Sequence, residues 1–407
     1  MSDVEMEEKE LSSLRRQARE WAKEMRSHSL VWDAAGSGVT THHRPPELEL
    51  HTALATLSVP ERYGGTPVLV RGRRLRTMSA LERVVLYEEG AWGDAALLMA
   101  APGALTAGPV VESLGDRTQQ DWFYERLLGG AAWSLLAMTE AAHGSDAGGM
   151  RSSLSPLARS RTTDATGYSL NGAKTYVGNA TRAGTGVVFA RTGEGPLSLR
   201  AVLVETDAPG FASAPVATIG LSGALGRLTF DAVEIDAERV LGQHLSPVKR
   251  GMWGWLRAFN LLRVAAAAMG VGIARAAHEY AREHRSTPSA RERDRLDRMA
   301  HRIDTVRQLT YQAARAVDAD PGHGHLSAAA KVGASRLAER TTLEVLRFFG
   351  CGARLKHPLL DKWARDALGL EYMEGTSNIQ RLQVFNTLAR GGPAAAGPPP
   401  SPSPGTG

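Results

Sequence analysis

Apolar residues recur every three or four positions through most of the first 130 residues, and again after residue 242. Between these regions the apolar residues fall in short runs or alternate with polar ones. The outer regions therefore read as helical and the middle as β. Residues 4–25 carry the pattern of a polar amphipathic helix. Residues 28–46, rich in Gly, Thr and His and closed by Pro-Pro, read as a loop. Helical spacing continues over 78–89, 94–111 and 118–128. At Ala131 the texture changes, and AAWSLLAMTE is an apolar run suited to a buried strand. GYSLNGAKTYV, GVVFAR, LRAVLVETD and GRLTFDAVEI follow, separated by Gly, Asp and Pro. Asn171-Gly172 reads as a two-residue hairpin turn. Long helical patterns over 250–284, 291–317, 326–350 and 359–370 suffice for a bundle. The final GGPAAAGPPPSPSPGTG reads as disordered. The predicted organisation is α+β: a helical domain over 1–130, a β domain over 131–243, a helical bundle over 244–391 and a Pro-rich tail over 392–407.

Composition narrows the function classes. The chain has 407 residues, 43% hydrophobic and 22% charged, which is ordinary for a soluble protein of two or three domains. A single cysteine, Cys351, excludes an internal disulfide framework and any Cys-rich metal site. The N-terminus, MSDVEMEEKELSSLRRQAREWAKEM, is charged and helix-patterned, unlike a signal peptide. No run of about 18 uncharged apolar residues offers a membrane span, and the expected compartment is the cytoplasm. The net charge of +5 raises the question of nucleic acid. RGRRLR, residues 71–76, reads as an exposed loop after a Gly-Gly turn. The Arg-rich stretch from Arg282 to Arg307 is interrupted by Glu283, Glu292, Asp294, Asp297 and Asp304, as on a solvated helix face.

Four stretches carry candidate chemistry. In RDALGLEYMEGTSNIQ, residues 365–380, Gly375 can turn the chain and Thr376 or Ser377 can cap the following helix, IQRLQVFNTLAR. Glu374 then stands at a corner from which a carboxylate can enter a cleft. AMTEAAHGSD, residues 137–146, is a strand end and a Gly-containing turn that exposes amides and hydroxyls. NGAKTYVGNATRAG, residues 171–184, offers the flat surface of Tyr176. In RAFNLLRVAAAAMGVGIARAA, residues 257–277, Asn260 and Arg263 share one helix face.

These motifs, in this order, resemble those of the flavin-dependent acyl-CoA dehydrogenases over about residues 10–390. RDA followed by EGTS-x-IQ is similar to that family's C-terminal signature. TE-x-x-x-GSD is similar to its flavin-edge motif, and Pro60 to Gly65 to a turn in its first domain. The resemblance implies an N-terminal α-helical domain, a middle β-barrel or sandwich and a C-terminal four-helix bundle. It implies FAD as cofactor and α,β-dehydrogenation of an acyl thioester carried by coenzyme A or an acyl carrier protein. Glu374 would remove the α-proton, flavin N5 would take the β-hydride, and Arg263 would stand near the carboxylate. Cofactor contacts would come from Leu136, Met138, Thr139, Ser145, Tyr176, Val177, Gly178, Arg285, Arg347, Cys351, Thr376 and Asn378. Substrate contacts would come from Ser145, Asn260, Arg263 and Gly375. An electron-transfer flavoprotein or oxygen would accept electrons, and the chain would form a homodimer or homotetramer, with no membrane and no nucleic acid.

The chain also departs from the family pattern. The hydroxyl position two residues after the aromatic is Gly178. No Phe-Gly follows Arg285, and Arg347 replaces an amide before Gly350-Cys351-Gly352. Two alternatives stand beside the dehydrogenase: a flavin oxidase or monooxygenase on the same fold, and a DNA-binding relative.

Overall fold

The computed structural model describes residues 3–36, 44–70, 73–75, 79–157, 166–250, 252–322 and 324–389. The tail over 392–407 lies outside them, as do residues 71, 72 and 76 of the basic stretch. The fold is mixed helical and sheet, with helical N- and C-terminal regions around a curled sheet.

The first region holds α1 (Asp3–Gly36), α2 (Glu49–Leu57), the hairpin of β1 (Val68–Val70) and β2 (Arg73–Leu75), α3 (Ala80–Met99), α4 (Ala107–Leu114) and α5 (Arg117–Arg126). Two expectations need correcting here. Residues 28–36 continue α1 rather than forming a loop, because Ser29 and Trp32 are buried and fix the last turns. Residues 73–75 of RGRRLR are a strand paired with 68–70, not a loop. α3 runs through the break expected near residue 90 but kinks at Asp94, where φ is −160°. There the Asp94 carboxylate caps the second segment by accepting from Leu97 N at 2.8 Å.

The middle sheet comprises β3 (Ser134–Ala137), β4 (Ser153–Leu157), β5 (Gly167–Gly178), β6 (Thr185–Arg191), β7 (Leu199–Glu205), β8 (Phe211–Pro215) and β9 (Leu225–Asp236). Their order is β3-β6-β4-β5-β9-β8, with β7 on β6. β6 is buried on both faces, which is why it reads as an unbroken apolar run. Asn171-Gly172 is not a hairpin. β5 runs straight through it, with a bulge against β9 between Leu170 and Gly172. Gly172 takes φ +133°, and a Cβ there would lie 2.6 Å from Ser152 Oγ.

The C-terminal region holds α6 (Pro247–Arg250), α7 (Met252–His284), α8 (Ala290–Ala319), α9 (Gly324–Phe348), α10 (Ala353–Lys356), α11 (Pro358–Leu370) and α12 (Ser377–Ala389). α7 is apolar enough to pass for a membrane span, but 83% of that window is buried inside the protein. Its small residues let α3 and α9 approach: a Cβ on Gly272 would lie 2.2 Å from Glu88 O, and one on Gly270 2.8 Å from Ala334 O. α1, α3, α7, α8, α9 and α11 share one apolar core.

Buried charges lock these layers. Lys362 Nζ lies 2.8 Å from Asp94 and 2.6 Å from Asp366, all three residues being fully buried. Asp366 also accepts from Leu221 N at 2.7 Å, which ties α11 to the loop before β9. Removing the cation leaves two buried carboxylates facing each other. Lys362→Met is expected to lower unfolding free energy by about 3–5 kcal/mol, measured by urea denaturation at pH 7.

Candidate active site

The turn between α11 and α12 carries Glu374 in the left-handed region, φ +52°, followed by Gly375 at +93°. A non-glycine residue is strained there, and three side chains hold the backbone in place. Gln380 on α12 donates to Glu374 O at 2.7 Å. Arg263 on α7 donates to the same oxygen at 3.4 Å. Lys331 on α9 donates to Glu371 O and to Gly375 O, each at 2.7 Å. Position 375 must be glycine twice over. It needs the positive φ, and a Cβ would come within 2.6 Å of Gln380 Nε2.

None of these donors takes the Glu374 carboxylate. Its Oε2 is buried and has no hydrogen-bond partner among the described residues. Burial pushes this acid up to about 7, while Arg263 and Lys331 pull in the other direction. Burial likewise lowers Lys331 to about 8 and Arg263 to about 10. Tyr87 on α3, missed by sequence reasoning, lies in the field of Glu374. Burial and that charge push its phenol up to about 12, so it stays a neutral donor. The Glu374 amide N–H donates to no acceptor among the described residues. The arrangement joins a poised base to a free amide donor that can polarise a carbonyl.

The structure brings Arg263 and Ser145 to this corner with Gly375 and Thr376, and sets other predicted residues along one edge of the sheet. Ser145 Oγ stands 3.0 Å from Thr376 Oγ1, which joins motifs 231 residues apart. Thr376 therefore faces the Ser145 loop, while Ser377 turns its hydroxyl to Glu371 at 2.6 Å. β3 buries Leu135 and Ala137 in the sheet core and leaves Leu136 and Met138, with Thr139, partly exposed on the other side. Thr139 O accepts from Thr175 N at 2.9 Å, setting β3 beside the Tyr176 segment. Tyr176 is 57% exposed at φ +56°, between the bulged register positions Lys174 and Val177. Val177 is buried. A Cβ on Gly178 would meet nothing within 4 Å. An exposed aromatic on strained backbone, an open glycine and an unpaired buried carboxyl fit a flat aromatic cofactor lying along this edge.

Other predicted residues are placed differently. Asn260 is fully buried, donates to Pro321 O at 2.8 Å and accepts from Arg263 Nη1 at 2.8 Å. It supports Arg263 rather than facing a substrate. Asn378 is exposed and accepts from Arg381 at 3.2 Å. Arg285 is paired with Glu292 at 3.0 Å. Arg347 and Cys351 are exposed at the far end of α9, 16 residues or more from Lys331, about 24 Å along the helix. Several arginines of the Arg-rich stretch are paired with acids: Arg285 with Glu292, Arg295 with Glu344, Arg298 with Asp294 and Arg307 with Asp304.

Two supporting residues had readable signals. Lys331 is the lone charge in SAAAKVGAS, and Gln380 closes the EGTSNIQ signature. Tyr87 had none. Behind β3, Glu140 accepts from Arg151 N, Ser152 N and Lys174 Nζ at 2.7–2.9 Å, which holds its carboxyl down at about 2.

Residues 136–233 match the acyl-CoA dehydrogenase middle domain, and residues 249–389 match the acyl-CoA dehydrogenase C-terminal domain. Probable acyl-CoA dehydrogenase YngJ of Bacillus subtilis (strain 168) is 29% identical over 398 residues, 94% of this chain and 98% of that protein. Among solved structures, glutaryl-coenzyme A dehydrogenase with glutaryl-CoA superposes with a TM-score of 0.79 at 24% identity, covering 94% of this chain and 95% of the other. The prolyl acyl carrier protein oxidase AnaB superposes with a TM-score of 0.75 at 20% identity, covering 93% and 98%.

The raised acid gives a stability test. Glu374 binds its proton more tightly folded, at about 7, than unfolded, near 4.5. Its burial therefore costs nothing at low pH, and the cost grows as pH rises from 4.5 to 7. Glu374→Gln is expected to match the parent closely at pH 4.5 and to exceed its stability by about 3 kcal/mol at pH 8, read by denaturation at both pH values.

Proposed function

Because the chain belongs to the acyl-CoA dehydrogenase family, oxidoreductases acting on CH–CH groups with FAD, we propose that it performs α,β-dehydrogenation of an acyl thioester with Glu374 as the base. The carrying observation is the buried, unpaired Glu374 Oε2, raised to about 7 on a turn whose backbone is clamped by other side chains. A thioester raises the acidity of its α C–H, and a base poised near neutrality removes that proton. The free Glu374 N–H then hydrogen-bonds the thioester carbonyl as negative charge develops there. Arg263 and Gln380 keep the turn from relaxing as the charge moves. FAD, when bound, supplies the acceptor for the β-hydride. The residues that would hold it are Leu136, Met138, Thr139, Tyr176, Val177 and Gly178 along the sheet edge, with Ser145 and Thr376 closing over it. At Gly178 only the backbone N–H is offered.

The carrier is coenzyme A or an acyl carrier protein. Glutaryl-coenzyme A dehydrogenase and the prolyl acyl carrier protein oxidase, similar in fold, act on one each. The site is built around a proton-abstracting carboxylate, which a monooxygenase does not require. The acid-paired arginines speak against the DNA-binding reading.

The test is the visible spectrum of the purified protein mixed anaerobically with CoA and carrier-protein thioesters. Bleaching of the flavin band by one class is expected, with a rate at least about 1000-fold lower in Glu374→Gln. A flavin band that no thioester bleaches, or one that Glu374→Gln bleaches as fast as the parent, would overturn the assignment.

A further inference from the structure

Lys331 is 1% exposed, in a helix where Ala328, Ala330 and Ala334 are fully buried around it. A buried ammonium is costly unless it is paired. Yet no carboxylate among the described residues lies within ion-pair distance of Lys331. Glu371, the acid that acts most strongly on Lys331, turns its carboxylate to Ser377 N and Oγ, at 2.8 and 2.6 Å. Lys331 instead reaches two backbone carbonyls, Glu371 O and Gly375 O, which bracket the left-handed residue. These oxygens lie at the two ends of the turn, so one ammonium fixes its span. The remaining clamps act in the middle: Gln380 and Arg263 both hold Glu374 O.

We propose that Lys331 is a positioning residue for the reaction, bridging Glu371 O and Gly375 O so that Glu374 keeps its left-handed conformation and its place in the site. This rests on Glu374 being the base. Lys331 does not touch the reacting atoms. It acts through backbone geometry and through its charge, which favours the ionised form of Glu374. The charged groups facing it are Glu371 and Glu374 on the turn and Arg263 on α7, with Arg381 of α12 acting on Glu371. Removing the positive charge therefore moves the Glu374 titration to higher pH, and removing the donors lets the turn relax.

The test compares Lys331→Met and Lys331→Arg with the parent, as FAD-loaded full-length protein, by stopped-flow bleaching with a thioester that reduces the parent between pH 6 and 9. Lys331→Met is expected to slow bleaching at saturation about 10- to 100-fold, to leave the thioester Kd within about threefold, and to carry the acid limb to higher pH. Lys331→Arg keeps the charge and is expected to keep the limb in place. Should Lys331→Met fail to fold, Lys331→Gln replaces it with the same expected shift of the limb. A neutral variant with the parent's rate and the parent's limb overturns the proposal. A second readout needs no turnover: the pH at which the stabilisation by Glu374→Gln levels off is set by the folded carboxyl, and it should rise in the Lys331→Met background. If no thioester reduces the parent, dehydrogenation falls, and this stability measurement still decides the role of Lys331, an unmoved pH counting against it.

Discussion

The active centre depends on one unfavourable arrangement: a carboxylate buried without a donor, on a residue strained into the left-handed region. Neither feature survives by itself in a folded protein, since left-handed backbone costs about 1–2 kcal/mol and a lone buried charge costs more. The fold meets both by holding the backbone and leaving the side chain alone. Arg263, Gln380 and Lys331 come from three helices, and all bond carbonyl oxygens of the turn. The long apolar helices exist, in this sense, to bring those three donors to one loop.

Glu140 makes the opposite case within the same chain. It is also buried, but its carboxylate receives two backbone amides, a serine hydroxyl and Lys174. The donors overcome desolvation, and the acid falls to about 2. Glu140 is thereby permanently charged and structural, fixing the end of β3 where Met138 and Thr139 emerge. Had Lys331 bonded the Glu374 carboxylate as Lys174 bonds that of Glu140, the same effect would pull that acid down. What separates the raised glutamate from the lowered one here is which atoms the donors reach.

That distinction sets how much could be read from residues alone. The helix periods, the apolar strands and the corner at Glu374-Gly375 were legible because each is a local consequence of side-chain pattern. Asn171-Gly172 misled, because the same dipeptide that makes a hairpin also suits a bulge, and here Gly172 packs against Ser152, just before β4. The extension of α1 to Gly36 was hidden by polar, loop-like residues whose helix is stabilised by tertiary burial of Ser29 and Trp32. Asn260 was placed on the correct face, yet its amide is engaged by Pro321, 61 residues away. Lys331 and Tyr87 needed the packing of α9 and α3 to acquire meaning. Arg285 follows α7, 22 residues beyond Arg263 and about 33 Å along the helix, so spacing alone could not tell whether one chain unites them.

Burial also governs the pH at which the centre can operate. It raises Glu374 to about 7 and lowers Lys331 to about 8, bringing the two titrations close together from opposite sides. The proposed reaction needs Glu374 ionised and Lys331 protonated, a state most populated between those values. Further loss of water would raise the acid and lower the amine again, and the window would close. A ligand that buried this turn for the first time would therefore oppose its own reaction. In the free chain Glu374 Oε2 is already buried, so a substrate entering beside it displaces little water from that oxygen. The charge state of the centre is then set by the fold before the substrate arrives.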